Sequence, residues 1–428
     1  MESKSSLSEE VIRSYLSLVR LGIGHKAEIP ETVDWHAVRN LASKQGLAAI
    51  VLDGVKRLME SAQTISASET GSSVSGAGSS VSGVEDVVTT QRVASEALKG
   101  LDLDLKLDWM GESVVIYEQR YEQYRRAIAN LAGFYNLHGF KMMILKGYGL
   151  SLNYPVPSHR PCGDIDIWQF GRYREADGTL SREKGIKIDN SHHHHTVFQV
   201  DGFLVENHYD IVNVHVYKAN AELEKSFKAM AMDDSHFIDL SEYDCFQPKV
   251  PEAGKSRVYL PSANLHALFQ LKHCISHFAS TEITLRHVLD WAFFVEKHSS
   301  EIDWKWLVET LRRFKMLEFF NYLNSVCVED LGFDAGMFAT ANEALNEIAS
   351  CRGSVPSFDR ELKERVLGDM IAPEFAEKAS QGNVFKRVAF KYRRWQANAW
   401  KQRLCYSDNR FVAFWKSVWA HILKPSSI

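Results

Sequence analysis

Two aspartates one residue apart, Asp164 and Asp166, interrupt the apolar run GDIDIW at residues 163–168. If that run is a strand, alternation puts both carboxylates on one face while Ile165 and Ile167 point to the other. Carboxylates in a half-buried strand are costly to desolvate unless something offsets their charge. A hard divalent cation does so through oxygen. Further on, FLVENHYD places Glu206 and His208 on a shared face, which offers a third carboxylate. Three acids converging on metal ions can activate an attacking hydroxyl and stabilise a leaving oxygen in an in-line displacement.

These groups need strands and turns to bring them together. Residues 112–138 read as a long helix ending at Gly139, and FKMMIL as a short buried strand that stops at Lys146-Gly147. Glycine lets a backbone approach a phosphate closely, and a helix beginning at YGLSLNY would add unpaired N–H donors. Lys146 adds a point charge and Arg160 a planar fork, either of which can meet a phosphate. Asp201-Gly202 lies between two alternating runs and predicts a two-residue hairpin turn. In that register Val197 faces Glu206 and His195 faces His208, which gathers His195, Glu206 and His208 on one side.

At 428 residues, with 45% hydrophobic residues and a net charge of −4, the chain has the composition of an ordinary globular protein. No apolar stretch is long enough to span a bilayer and the N-terminus reads as an amphipathic helix, which points to the cytoplasm. The six cysteines show no CxxC spacing, which argues against both a disulfide framework and a cysteine zinc site. Residues 1–60 read as a helical region, 61–90 as a Ser/Gly-rich flexible linker or insertion, 91–258 as the core domain holding the sheet, and 259–428 as a helical domain with a basic aromatic tail. Between Lys386 and Lys424 there are ten basic residues and one acid, leaving 40 basic against 53 acidic residues elsewhere. The expected class is α+β: a small mixed sheet flanked by N-terminal and C-terminal helical regions.

LKGYGLSLNYP, then Arg160 and GDIDI, then VENH resemble the polymerase-β type of nucleotidyltransferase, and within it a bacterial group labelled uncharacterised nucleotidyltransferase. The resemblance extends to the flanking segments VDWHAVRNLASKQGLAAIVL, LKHCISHF and LRHVLDWAFFV. It implies transfer of a nucleoside monophosphate from an NTP, such as ATP, to a hydroxyl or other acceptor with two magnesium ions. Residue by residue, it puts Gly147 at the helix-start glycine, Asp164 and Asp166 at the metal pair, and Glu206 at the third acid. Tyr148 departs from the pattern, standing where many members have Ser or a second Gly. The expected catalytic and metal-binding set is therefore Asp164, Asp166 and Glu206, with Lys146, Gly147, Arg160 and His208 as nucleotide contacts.

Other readings compete with this one. The aspartates would be solvent-facing on an exposed edge strand if no ion were involved. An Asp-x-Asp pair also suits a metal-dependent glycosyltransferase, which requires a parallel, doubly wound sheet. A degenerate nucleotide-binding module that regulates a partner is the non-catalytic alternative. His192–His195 cannot all face one ion from an extended strand, so a solvated loop leading into a strand is expected, with His195 the member nearest the site. His273 and His277, and Arg286 and Asp290, are helical neighbours, with Arg286 a candidate to close over the nucleotide. Nucleic acid is a possible but unfavoured partner of the C-terminal stretch. Its apolar positions at 415, 418, 419 and 422 are expected to pack on the body.

Overall fold

The computed structural model describes residues 7–63, 92–214, 217–243, 256–352, 358–375 and 384–423. All but the first three residues of the expected linker at 61–90 lie outside them; residues 61–63 close the helix Ala48–Gln63. The chain is α+β. Six short strands form one mixed sheet: β1 (Met143–Ile144), β2 (Ile165–Trp168), β3 (His195–Val200), β4 (Phe203–His208), β5 (Phe237–Asp239) and β6 (Arg257–Tyr259). Their spatial order is β3-β4-β2-β1-β6-β5. β2 runs parallel to β4 and antiparallel to β1, and β1 runs parallel to β6. This is not the doubly wound parallel sheet that the glycosyltransferase reading requires.

The hairpin β3–β4 has the register expected from the sequence, with His195 opposite His208 and Val197 opposite Glu206. Its turn explains why. Asp201 and Gly202 both have positive φ, 50° and 83°, the pairing of signs that matches the right-handed twist of the two strands.

Alternation along the strands sorts the two faces of the sheet. Ile144, Ile165, Ile167, Phe198 and Val205 join a core with the helix Arg120–Leu137. On that same face Asp177 of the helix Tyr173–Lys184 accepts hydrogen bonds from Thr196 at 2.7 Å and Asn207 at 2.8 Å. Met143, Leu145, Trp168 and Tyr259 belong instead to the larger core, which also holds the N-terminal helices and the helices Ala263–Ser280 and Leu285–His298. Asp166, one residue from Ile165 and Ile167, therefore lies on the side of this helical body.

The helical regions at the two ends of the chain share this core. Gln45 ties them together, donating to the carbonyls of Met370 and Ile371, both at 3.0 Å, and accepting from the Leu285 N–H at 2.8 Å. In the C-terminal helix Arg410–Leu423 the packed side is Ala413, Phe414 and Val418, whereas Trp415 and Trp419 are exposed. The expected stripe was thus one helical face away: Val418 packs, but its partner on the body side is Phe414 at i−4, which sits against Trp395.

Candidate active site

Gly147 follows β1 with φ of 63°, and a Cβ there would lie 2.4 Å from the Tyr124 hydroxyl oxygen. The same hydroxyl donates to the Asp164 carbonyl at 2.8 Å. Tyr124 thus fixes both the turn after β1 and the approach to β2, and only glycine fits between them. Nothing in the sequence signals this role, because a Tyr on the buried face of a helix looks like ordinary core.

From this frame the side chains converge. Lys146 Nζ lies 2.9 Å from Asp166 Oδ1. His208 Nε2 lies 3.2 Å from the same oxygen and 3.6 Å from Glu206 Oε2. His195 Nε2 is 3.9 Å from Glu206 Oε1. The parallel pairing of β2 with β4 sets Asp166 directly opposite Glu206. Asp164 precedes β2 rather than lying in it, and is exposed. Its carboxyl is raised by burial and by the charges of Glu206 and Asp166, but it is not among the residues whose ligand atoms gather within 4.8 Å of one another.

Charge within the cluster is balanced by the protein itself. Burial opposes protonation of His208, but hydrogen bonds and attraction from Asp166 and Glu206 outweigh it and raise its pKa to about 9. Burial would likewise raise Glu206, yet His208 and Lys146 bring it down to about 2. Lys146 is held above its ordinary value by Asp166 and Glu206 against the cost of its burial. The sequence raised the question of what offsets buried carboxylates, and Lys146 and His208 are a large part of the answer.

They do not complete it. Asp166 is 1% exposed, and its second oxygen, Oδ2, is buried without a hydrogen-bond partner among the described residues. A buried carboxylate oxygen left this way calls for a bound ion or an ordered water. Asp166, Glu206 and His208 bring polar atoms within 4.8 Å of one another; with His208 protonated, the two hard carboxylate oxygens are the atoms that suit a divalent cation. His194, His195 and His208 form a second such group. His194 enters because it lies in the bend before β3, where strand alternation does not apply. Burial, reinforced by His208, pushes His195 down to about 3, so it is a neutral imidazole.

Arg160 is not brought to the carboxylates. Its guanidinium makes a buried bidentate pair with Asp290, Nε to Oδ1 at 2.7 Å and Nη2 to Oδ2 at 2.9 Å. Tyr154 adds a third bond to Asp290 Oδ1 at 2.7 Å. The expected phosphate contact is therefore replaced by a clamp that fastens the 152–163 loop to the helix Leu285–His298. Asp290 is taken by Arg160 and not by its helical neighbour Arg286, whose Nε has no hydrogen-bond partner among the described residues. His277, on the helix Ala263–Ser280, completes the surroundings: burial, followed by Lys146 and Arg286, lowers its pKa to about 4, while Asp166 and Glu206 act against them.

The mixed sheet thus sets two acids opposite each other on parallel strands, with a lysine and a glycine turn just after β1. Residues 101–332 match the family model described as "Uncharacterised nucleotidyltransferase", and the chain belongs to that family. Neither the comparison with curated proteins nor that with solved structures gives a match. Among the described residues no helix is long and apolar enough to cross a membrane.

Proposed function

We propose that the protein transfers a nucleoside monophosphate from an NTP to an acceptor hydroxyl, with Asp164, Asp166 and Glu206 as the magnesium-binding carboxylates. The observation that carries this reading is the buried, unpartnered Asp166 Oδ2 beside Glu206. Magnesium bound there would supply Lewis acidity and neutralise charge on the phosphates. In the transfer, the acceptor oxygen forms a bond to the α-phosphorus as the bond from that phosphorus to the bridging oxygen breaks. Pyrophosphate leaves and the hydroxyl proton is lost to solvent, with Glu206, held ionised by His208 and Lys146, helping to orient the acceptor hydroxyl. Lys146 holds Asp166 in place and His208 orients both Asp166 and Glu206.

The test is transfer of label from an α-labelled NTP to protein, RNA or small-molecule acceptors, with magnesium present. Labelling by the wild type that disappears in Asp166→Asn is expected. NTP binding without any transfer, across a broad set of acceptors, would favour the regulatory module. The internal neutralisation of Asp166 and Glu206 by Lys146 and His208 is what gives that second reading its support.

A further inference from the structure

A cavity of about 400 Å³ opens beside the carboxylates, between the helix Ala263–Ser280 and the C-terminal helices. His194 and His277 line one end of it, and both sit in the electrostatic reach of Glu206 and Lys146. Most of the remaining lining is apolar or neutral, but its charged members are Lys272, Lys391, Arg394 and Arg410 against a single carboxylate, Asp408. Asp408 accepts at Oδ1 from the Lys218 backbone N–H at 3.2 Å, and one carboxylate cannot balance four cations.

The donors in this cavity are short of partners. Lys391 Nζ and Trp395 Nε1 are both buried with no hydrogen-bond partner among the described residues. Burial together with the nearby charges of Arg394 and Arg387 lowers the Lys391 ammonium to about 8. Like charges crowded around unsatisfied donors are unfavourable unless an anion joins them. Lys272 is 2% exposed, and its hydrogen bond here is to the Tyr406 hydroxyl at 3.2 Å. Arg410 is fixed in place, donating to Gln402 Oε1 at 3.0 Å and lying over the Trp395 ring at 4.6 Å.

We propose that this cavity is the acceptor site and that it takes a small molecule bearing a phosphate group. The phosphate meets Lys391, Arg394 and the Trp395 indole N–H, and the remainder of the molecule reaches past His194 and His277 toward Asp166 and Glu206. The size supports a small molecule, since ligand pockets run from roughly 300 to 1,000 Å³. The role of the cavity as an acceptor site rests on the transferase reading; its affinity for phosphate does not.

Two measurements on the full chain keep these apart. Without NTP or magnesium, calorimetric titration with glucose 6-phosphate and inorganic phosphate is expected to show binding that glucose lacks. Lys391→Ala and Arg394→Ala should each weaken it at least tenfold, while Asp166→Asn leaves it intact. Lys391→Met, which keeps the apolar stem, repeats the test should the alanine variant fold poorly. In the presence of α-labelled ATP and magnesium, phosphorylated sugars should be labelled in preference to their unphosphorylated parents, with Lys391→Ala raising the acceptor KM and not that of ATP. Phosphate binding that ignores both cavity substitutions overturns the proposal. So does an equal loss of ATP binding, which would make the cavity the seat of the donor's own phosphates, and so does tight Lys391-dependent binding of single-stranded RNA without binding of glucose 6-phosphate. Phosphate binding that depends on Lys391 in a protein that transfers nothing would uphold the anion site and sink the transferase reading alone.

Discussion

Asp166 and Glu206 stand directly opposite each other across the parallel strands β2 and β4, and His208 Nε2 lies within 3.6 Å of an oxygen of each. Two carboxylates bound through one imidazolium act as a unit, so their losses should not add. Asp166→Asn and Glu206→Gln are each expected to cut nucleotidyl transfer by about 10²-fold or more, with the double variant little worse than either. Single-turnover rates with an α-labelled NTP check this. Fully multiplicative losses would show that the two acids act independently.

Metal binding has a readout that needs no activity. If magnesium engages Asp166 Oδ2, it stabilises the folded chain by mass action, about 2.7 kcal/mol at a concentration one hundred times Kd. The melting temperature of the wild type should rise with added magnesium and fall back with EDTA. Asp166→Asn should not respond. An identical rise in the variant would place the ion elsewhere.

How much of this was legible in the sequence depended on the range of the interaction. The hairpin register followed from Asp201-Gly202 because two residues determine that turn locally, and strand alternation then fixed which groups share a face. GDIDIW announced β2 in the same way, although Asp164 falls just before the strand. What escaped were pairings between elements distant in sequence. Arg160 looked free to meet a phosphate because its partner lies 130 residues away, at Asp290. Tyr124 and Gly147 carry no mark of meeting. The cations of the C-terminal stretch looked like a complement to the acidic remainder of the chain, and only their placement across from His277 makes them part of a cavity.

The Arg160–Asp290 clamp should make the fold sensitive to acid. Burial by itself would raise the Asp290 carboxyl, but Arg160 lowers it below the usual value overall. A depressed folded-state pKa means that the contribution to stability is complete above the unfolded carboxyl value, near 3.9, and is withdrawn as pH falls toward the folded one. Asp290→Ala, which leaves the buried guanidinium unpaired, is expected to cost about 3–5 kcal/mol at neutral pH. Asp290→Asn should cost less and flatten the loss of stability below pH 4. Urea unfolding at pH 7 and pH 3 measures both, and an unchanged slope in the Asn variant would remove Asp290 as its source.

The contact of Gly147 with Tyr124 gives a sharper test of the turn that precedes β2. Gly147→Ala places a methyl 2.4 Å from the Tyr124 oxygen at a backbone φ of 63°, so it suffers both a collision and a conformational penalty. The penalty for a positive φ is roughly 1–2 kcal/mol, and the collision adds to it. Tyr124→Phe removes the oxygen that is struck, along with its bond to the Asp164 carbonyl, which on its own should cost about 1 kcal/mol. In the double variant the collision is gone and the backbone penalty stays. The double variant should therefore be less destabilised than the sum of the two single ones, by an amount that reports the collision alone. If the single-variant losses simply add, the hydroxyl does not press on residue 147 and the glycine is required for its φ only.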